Sequence, residues 1–119
     1  MAGWFELNKS SDGQYRFVLK AEGGETILTS ELYQTKSSAE NGIASVRANS
    51  SLDARYERKV SSNAKPFFNL TAANHQVIGT SEMYSSQQAR EAGVESVKAN
   101  GAATTVKDKT RSVDSPRDL

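Results

Sequence analysis

The chain has 119 residues, 36% of them hydrophobic, with 15 Lys and Arg against 14 Asp and Glu and no cysteine. That length suits one ordinary domain. The near-neutral balance, scattered along the chain, disfavours a nucleic-acid or anionic-lipid partner, and the lack of thiols excludes disulfide scaffolding and fits a reducing, cytoplasmic setting.

No apolar run approaches the roughly 18 residues of a membrane span. The opening Met1-Ala2-Gly3-Trp4-Phe5-Glu6 lacks the basic start and apolar core of a signal peptide. In chain order, Phe5-Glu6-Leu7-Asn8 alternates apolar and polar, as a half-buried strand does. Ser10 to Gly13 is a run of turn formers in which Gly13 can take positive φ. Tyr15 to Lys20 is the second strand, with Tyr15, Phe17 and Leu19 on one face and Arg16, Val18 and Lys20 on the other. After the turn Glu22-Gly23-Gly24-Glu25 comes a β-branched third strand, Thr26 to Thr29.

The period then becomes helical. Ala39, Gly42, Ile43 and Val46 recur at three- and four-residue spacing between Lys36 and Asn49. Thr35 offers an N-cap, and Asn49 a helix end that tolerates the left-handed conformation.

The chain then repeats itself with an offset of 51 residues and no gaps. Ser30-Glu31-Leu32-Tyr33 returns as Ser81-Glu82-Met83-Tyr84, Phe17 as Phe68, Leu19 as Leu70, Gly42 as Gly93, and Ala48-Asn49 as Ala99-Asn100. The second copy predicts strands at Arg55–Val60, Phe67–Thr71 and Gln76–Thr80, and a helix at Gln87–Asn100 capped by Ser86. Thr104 to Asp108 is β-branched enough for a last strand.

One copy is too small for a core of its own, so the two share one. The expected architecture is α+β: two tandem β3-α-β repeats, about 4–54 and 55–108, forming a single antiparallel sheet with both helices packed on one face. Residues 1–109 make one domain, and the polar, aperiodic stretch 110–119 reads as a disordered tail.

The stretch from Gly24 to Tyr33, followed by Asn41-Gly42-Ile43-Ala44-Ser45-Val46-Arg47-Ala48-Asn49, resembles the repeat of the YegP-like family, small and mostly bacterial proteins of unknown function. The likeness covers roughly residues 3 to 108. It implies a β3-α-β module whose copies exchange their C-terminal strands, and it implies no activity. The second copy departs from the first where Asn41 becomes Ala92 and Gly24 becomes His75.

Chemistry is sparsely signalled. His75 is the single histidine, which removes most triads and multi-histidine metal sites. No catalytic residue, metal site or cofactor is predicted. Gly42 and Gly93 lie mid-helix, where close approach to the sheet explains them better than a phosphate loop. If the helices cover Phe5, Phe17, Leu19, Phe68 and Leu70, then Trp4, Arg16, Val18, Arg55, Phe67 and Asn69 form an open face with the aromatic and arginine character to stack bases or grip a protein or peptide, the charge balance favouring the latter. The expected protein is therefore a cytoplasmic monomer acting as a non-enzymatic binding module. The alternative is an enzyme with an inter-repeat polar pocket formed by Ser30, Glu31, Tyr33, Ser81, Glu82 and Tyr84.

Overall fold

Alternation in the first meander sends Phe5, Leu7, Phe17 and Leu19 to one side of a sheet, where all four are buried. The computed structural model describes residues 3–110. Its elements are β1 (Trp4–Lys9), β2 (Tyr15–Lys20), β3 (Thr26–Ser30), α1 (Lys36–Asn49), a 3-10 turn (Asp53–Arg55), β4 (Tyr56–Val60), β5 (Pro66–Thr71), β6 (Val77–Thr80), α2 (Gln87–Asn100) and β7 (Val106–Asp108). The expected disorder of 110–119 falls outside the described residues, except for Thr110. No helix among the described residues is long and apolar enough to cross a membrane.

Both helices lie on the side of the buried phenylalanines. Ala39, Ile43 and Val46 of α1 and Val94 and Val97 of α2 join Phe5, Phe17, Phe68 and Leu70 in a single core. The expected caps are present: Thr35 Oγ1 accepts from Ser38 N and Ser86 Oγ from Ala89 N, each at 3.0 Å.

The helix ends differ from expectation. The cap residues Ser50 and Gly101 have right-handed φ of −64° and −67°. Asn49 and Asn100 act instead through their side chains. Each bonds the carbonyl four residues back at 2.8 Å, while Asn49 Oδ1 accepts from Arg55 and Asn100 Oδ1 from Gly3 N.

The strand order is β4-β5-β6-β3-β2-β1-β7. α1 delivers the chain to β4, on the outer side of the second meander, and α2 delivers it to β7, beyond the first. The copies thus exchange the strands that follow their helices. Every pairing is antiparallel except β1 with β7, which is parallel, so the sheet is mixed. The reason is occupancy: β1 already holds the place antiparallel to β2, so the chain leaving α2 lies outside it.

At the centre β3 meets β6, with Thr29 opposite Thr80 and Ser30 opposite Gly79. Gly79 is the repeat counterpart of the fully buried Leu28. A Cβ on Gly79 would lie 2.9 Å from Leu28 Cγ and 2.9 Å from the Thr29 carbonyl oxygen. One leucine therefore fills the junction for both copies.

β7 is held by Phe5 N donating to Thr105 O at 3.0 Å, Lys109 N to Leu7 O at 2.9 Å, and Arg47 Nε to Ala103 O at 2.7 Å. Lys36 adds an ion pair to Asp108. Partial burial alone would raise the Asp108 carboxyl, but hydrogen bonds from Lys36 and Thr110 outweigh it and hold the group at about 2, against an ordinary 3.8. A depressed carboxyl contributes stability above its unfolded value and loses it as pH falls through the folded one. Acidification from about pH 4 to 2 is therefore expected to loosen β7 first. Amide exchange at Lys107 and Lys109 should accelerate ahead of the β2 amides, and Asp108→Asn should remove that pH dependence.

The turns explain two differences between the copies. Gly13 (φ 86°) and Gly24 (φ 95°) sit in the left-handed region, and their counterparts Ala64 (φ 68°) and His75 (φ 70°) do too. A side chain there costs about 1–2 kcal/mol. Ala64→Gly and His75→Gly should each raise unfolding stability by about 1 kcal/mol in urea melts; a loss at His75 would mean its side chain does more than occupy a turn.

Candidate functional site

The Ser-Glu-x-Tyr motifs close each meander. Ser30 Oγ accepts from Phe17 N at 2.9 Å and donates to Glu31 O at 2.7 Å; Ser81 does the same with Phe68 N at 2.9 Å and Glu82 O at 2.8 Å. Each hydroxyl replaces a missing ladder partner in the core. Ser30→Ala or Ser81→Ala would leave a buried N–H unpaired, at about 1–3 kcal/mol by denaturant titration.

The tyrosines pack rather than point into space. Tyr33 stacks on Phe17 and Tyr84 on Phe68, both with ring centroids 6.3 Å apart. A Cβ on Gly42 would come within 2.5 Å of Tyr33 Oη, and Gly93 is just as close to Tyr84. The mid-helix glycines thus make room for the motif tyrosines. Burial, and after it the charge of Glu31 or Glu82, pushes both phenols upward, so each stays protonated at neutral pH.

A cavity of about 430 Å³ does lie between the copies, where α2 faces the turn and strand that precede Leu28. Ala21, Ile27, Ala89 and Ala92 make it mostly apolar, and of the six motif residues only Glu82 and Tyr84 line it. Ser30, Glu31, Tyr33 and Ser81 do not, so the two motifs do not converge.

The helix-free face is continuous across the sheet. Val18, Thr29, Thr80 and Asn69 form one cross-strand row, flanked by Arg16 with Asn8 and by Phe67 with Lys59. Thr80 Oγ1 donates to Asn69 Oδ1 at 2.8 Å. At the β7 side Trp4 Nε1 donates to Glu6 Oε2 at 2.9 Å, and Lys107 Nζ sits 4.1 Å from the Trp4 ring centroid. The indole hydrogen bond, aided by Lys109 and Lys20, holds the Glu6 carboxyl below its usual range.

Five of the six expected face residues are therefore together: Trp4, Arg16, Val18, Phe67 and Asn69. Arg55 is not. It lies in the 3-10 turn, and its Nε donates to Asn49 Oδ1 at 2.9 Å, which draws it toward the end of α1.

A trough of about 620 Å³ runs over this face, lined by Asn8, Lys9, Ser10, Arg16, Val18, Thr26, Thr29 and Glu82. Arg16 and Glu82 are exposed, and neither side chain makes an ion pair or hydrogen bond among the described residues. Strand alternation could have added Asn8 and Thr29 to the expected face. Glu82 carried no such signal, because nothing local ties it to a strand 66 residues earlier.

Comparison with known proteins agrees with this fold. A family described as a domain of unknown function, DUF1508, matches twice, at residues 10–57 and 61–108. The UPF0339 protein YegP of Escherichia coli K12 is 68% identical over 110 residues, covering 92% of this chain and 100% of the relative. A UPF0339 protein of Shewanella oneidensis is 62% identical over the same length, covering 92% and 100%. The solution NMR structure of YegP from E. coli, itself described as of unknown function, superposes with a TM-score of 0.88 over 92% of this chain and 95% of that one. That of the Shewanella oneidensis protein SO3888 does so with 0.87, over 92% and 93%. With two adjoining matches and relatives this close over nearly their whole length, the chain belongs to the UPF0339 (YegP) family, a tandem repeat of the DUF1508 domain.

Proposed function

We propose that this protein is a non-enzymatic binding module that engages a protein or peptide through its helix-free sheet face. The observation that carries this reading is the trough on that face, where an unpaired guanidinium and an unpaired carboxylate flank hydroxyl, amide and valine side chains. The enzyme reading draws less support, since both motif serines are committed to core backbone groups and both tyrosines to ring stacking. We infer a monomer acting in the cytoplasm, in keeping with two copies in one chain and the lack of cysteine.

Chemical-shift mapping of the labelled protein against peptide, RNA and metabolite panels tests the reading. Ligands that bind should move the amides of Arg16, Val18, Thr29 and Asn69. Ligands that bind while moving only helix-side amides would refute it.

A further inference from the structure

The trough carries Arg16 and Lys9 toward one end and Glu82 at the other, which narrows the class of ligand that the proposed binding face would take; the assignment rests on that binding-face reading. Thr29 pairs with Val18 on one side and Thr80 on the other, and both neighbouring strands run antiparallel to β3, hence in the same direction as each other. Arg16 lies two residues before Val18, and Glu82 two residues after Thr80. The two are thus separated by two strand spacings across the sheet and four residues along it, about 16 Å between their Cα atoms.

We propose that this trough binds a short extended peptide with free termini, its carboxylate on Arg16 and its ammonium near Glu82. Extended chain advances about 3.3–3.6 Å per residue, so four residues span about 13–14 Å and an ion-pair contact at each end covers the rest of the distance. A planar guanidinium suits a carboxylate bidentately. Asn8, Thr26 and Thr29 supply side-chain donors and acceptors for the peptide's amides, and Val18 supplies an apolar floor.

A polyanion such as RNA would place phosphates against the Glu82 carboxylate, and a polycation would meet Arg16. A zwitterion satisfies both. The site is also singular. Across the repeat, Asn8, Arg16 and Thr26 become Lys59, Phe67 and Val77, so the equivalent region of the second meander lacks the guanidinium. One peptide per chain is expected.

The test uses tetra-alanine with free termini, its N-acetylated and C-amidated forms, and a uridine oligonucleotide, titrated into the labelled full chain. Free tetra-alanine should shift the Arg16, Val18, Thr29 and Glu82 amides saturably at one equivalent, and capping either end should weaken binding at least tenfold. Arg16→Glu or Glu82→Arg should each abolish binding. The double exchange should restore it with the peptide reversed, which a merely structural role would not do. Equal binding of capped and free peptides, or no rescue by the double exchange, overturns the inference. If only the oligonucleotide moves the trough amides, the peptide assignment falls while the binding-face reading stands. If every ligand that binds shifts helix-side amides alone, both fall.

Discussion

Replacing Phe68 with alanine is expected to cost about 3–5 kcal/mol of unfolding free energy, the usual range for a buried phenylalanine. Its ring is fully buried between Tyr56, 5.6 Å away by centroids, and Tyr84, stacked at 6.3 Å. Tyr84 in turn sits directly on Gly93. Removing the ring leaves a void that neither neighbour can fill, because Tyr84 is pinned by the helix backbone and Tyr56 Oη is bonded to Ser50 O at 2.6 Å. The adjacent Phe67 is the control. It faces away from the helices and is only partly buried, so Phe67→Ala should cost much less. Urea melts compare them directly, and equal losses would contradict the assignment of faces.

The second large effect is expected at the junction of the copies. Gly79→Leu makes the repeat symmetrical in sequence and the packing impossible, because the new Cβ meets Leu28 and a backbone carbonyl that cannot turn aside. Overpacking of this kind costs about 1–3 kcal/mol or more. Leu28→Gly is expected to be at least as damaging, since it empties the same space. The combined exchange, Leu28→Gly with Gly79→Leu, puts one leucine back into the junction from the opposite strand. It should be more stable than either single variant by at least about 1 kcal/mol, a coupling that equilibrium unfolding of all four proteins measures. Simple additivity would mean the two positions do not share one cavity.

Much of the fold could be read from the sequence because its signals are local. Two-residue alternation put Phe5, Phe17 and Leu19 on one face, three- and four-residue spacing gave both helices, and the hydroxyls of Thr35 and Ser86 set their starts. The repeat supplied the rest by comparison. What escaped was non-local. The parallel direction of β7 follows from β1 already occupying the inner place, a fact about the assembled sheet. Arg55 left the open face because Asn49, six residues earlier, offers its side-chain oxygen. Asn49 itself ends its helix through side-chain bonds in a right-handed chain, and its residue type does not separate that from a left-handed cap. The candidate site was legible by half: Arg16, Val18 and their row follow from alternation, while Glu82 reaches the trough only through the meeting of β3 with β6.

The exchanged strands bear on the order in which the protein can be completed during synthesis. β1 leaves the ribosome well ahead of β7, yet its outer hydrogen bonds are made to residues 105 and 109. α2, which covers part of the first meander, is also made late. A nascent chain that has emerged only as far as Asn49 therefore holds three strands with part of their apolar side still uncovered. The first copy cannot finish ahead of the second, and long-range closure of this sort slows folding. Synthesis has to reach about residue 109 before the sheet of the first copy is complete.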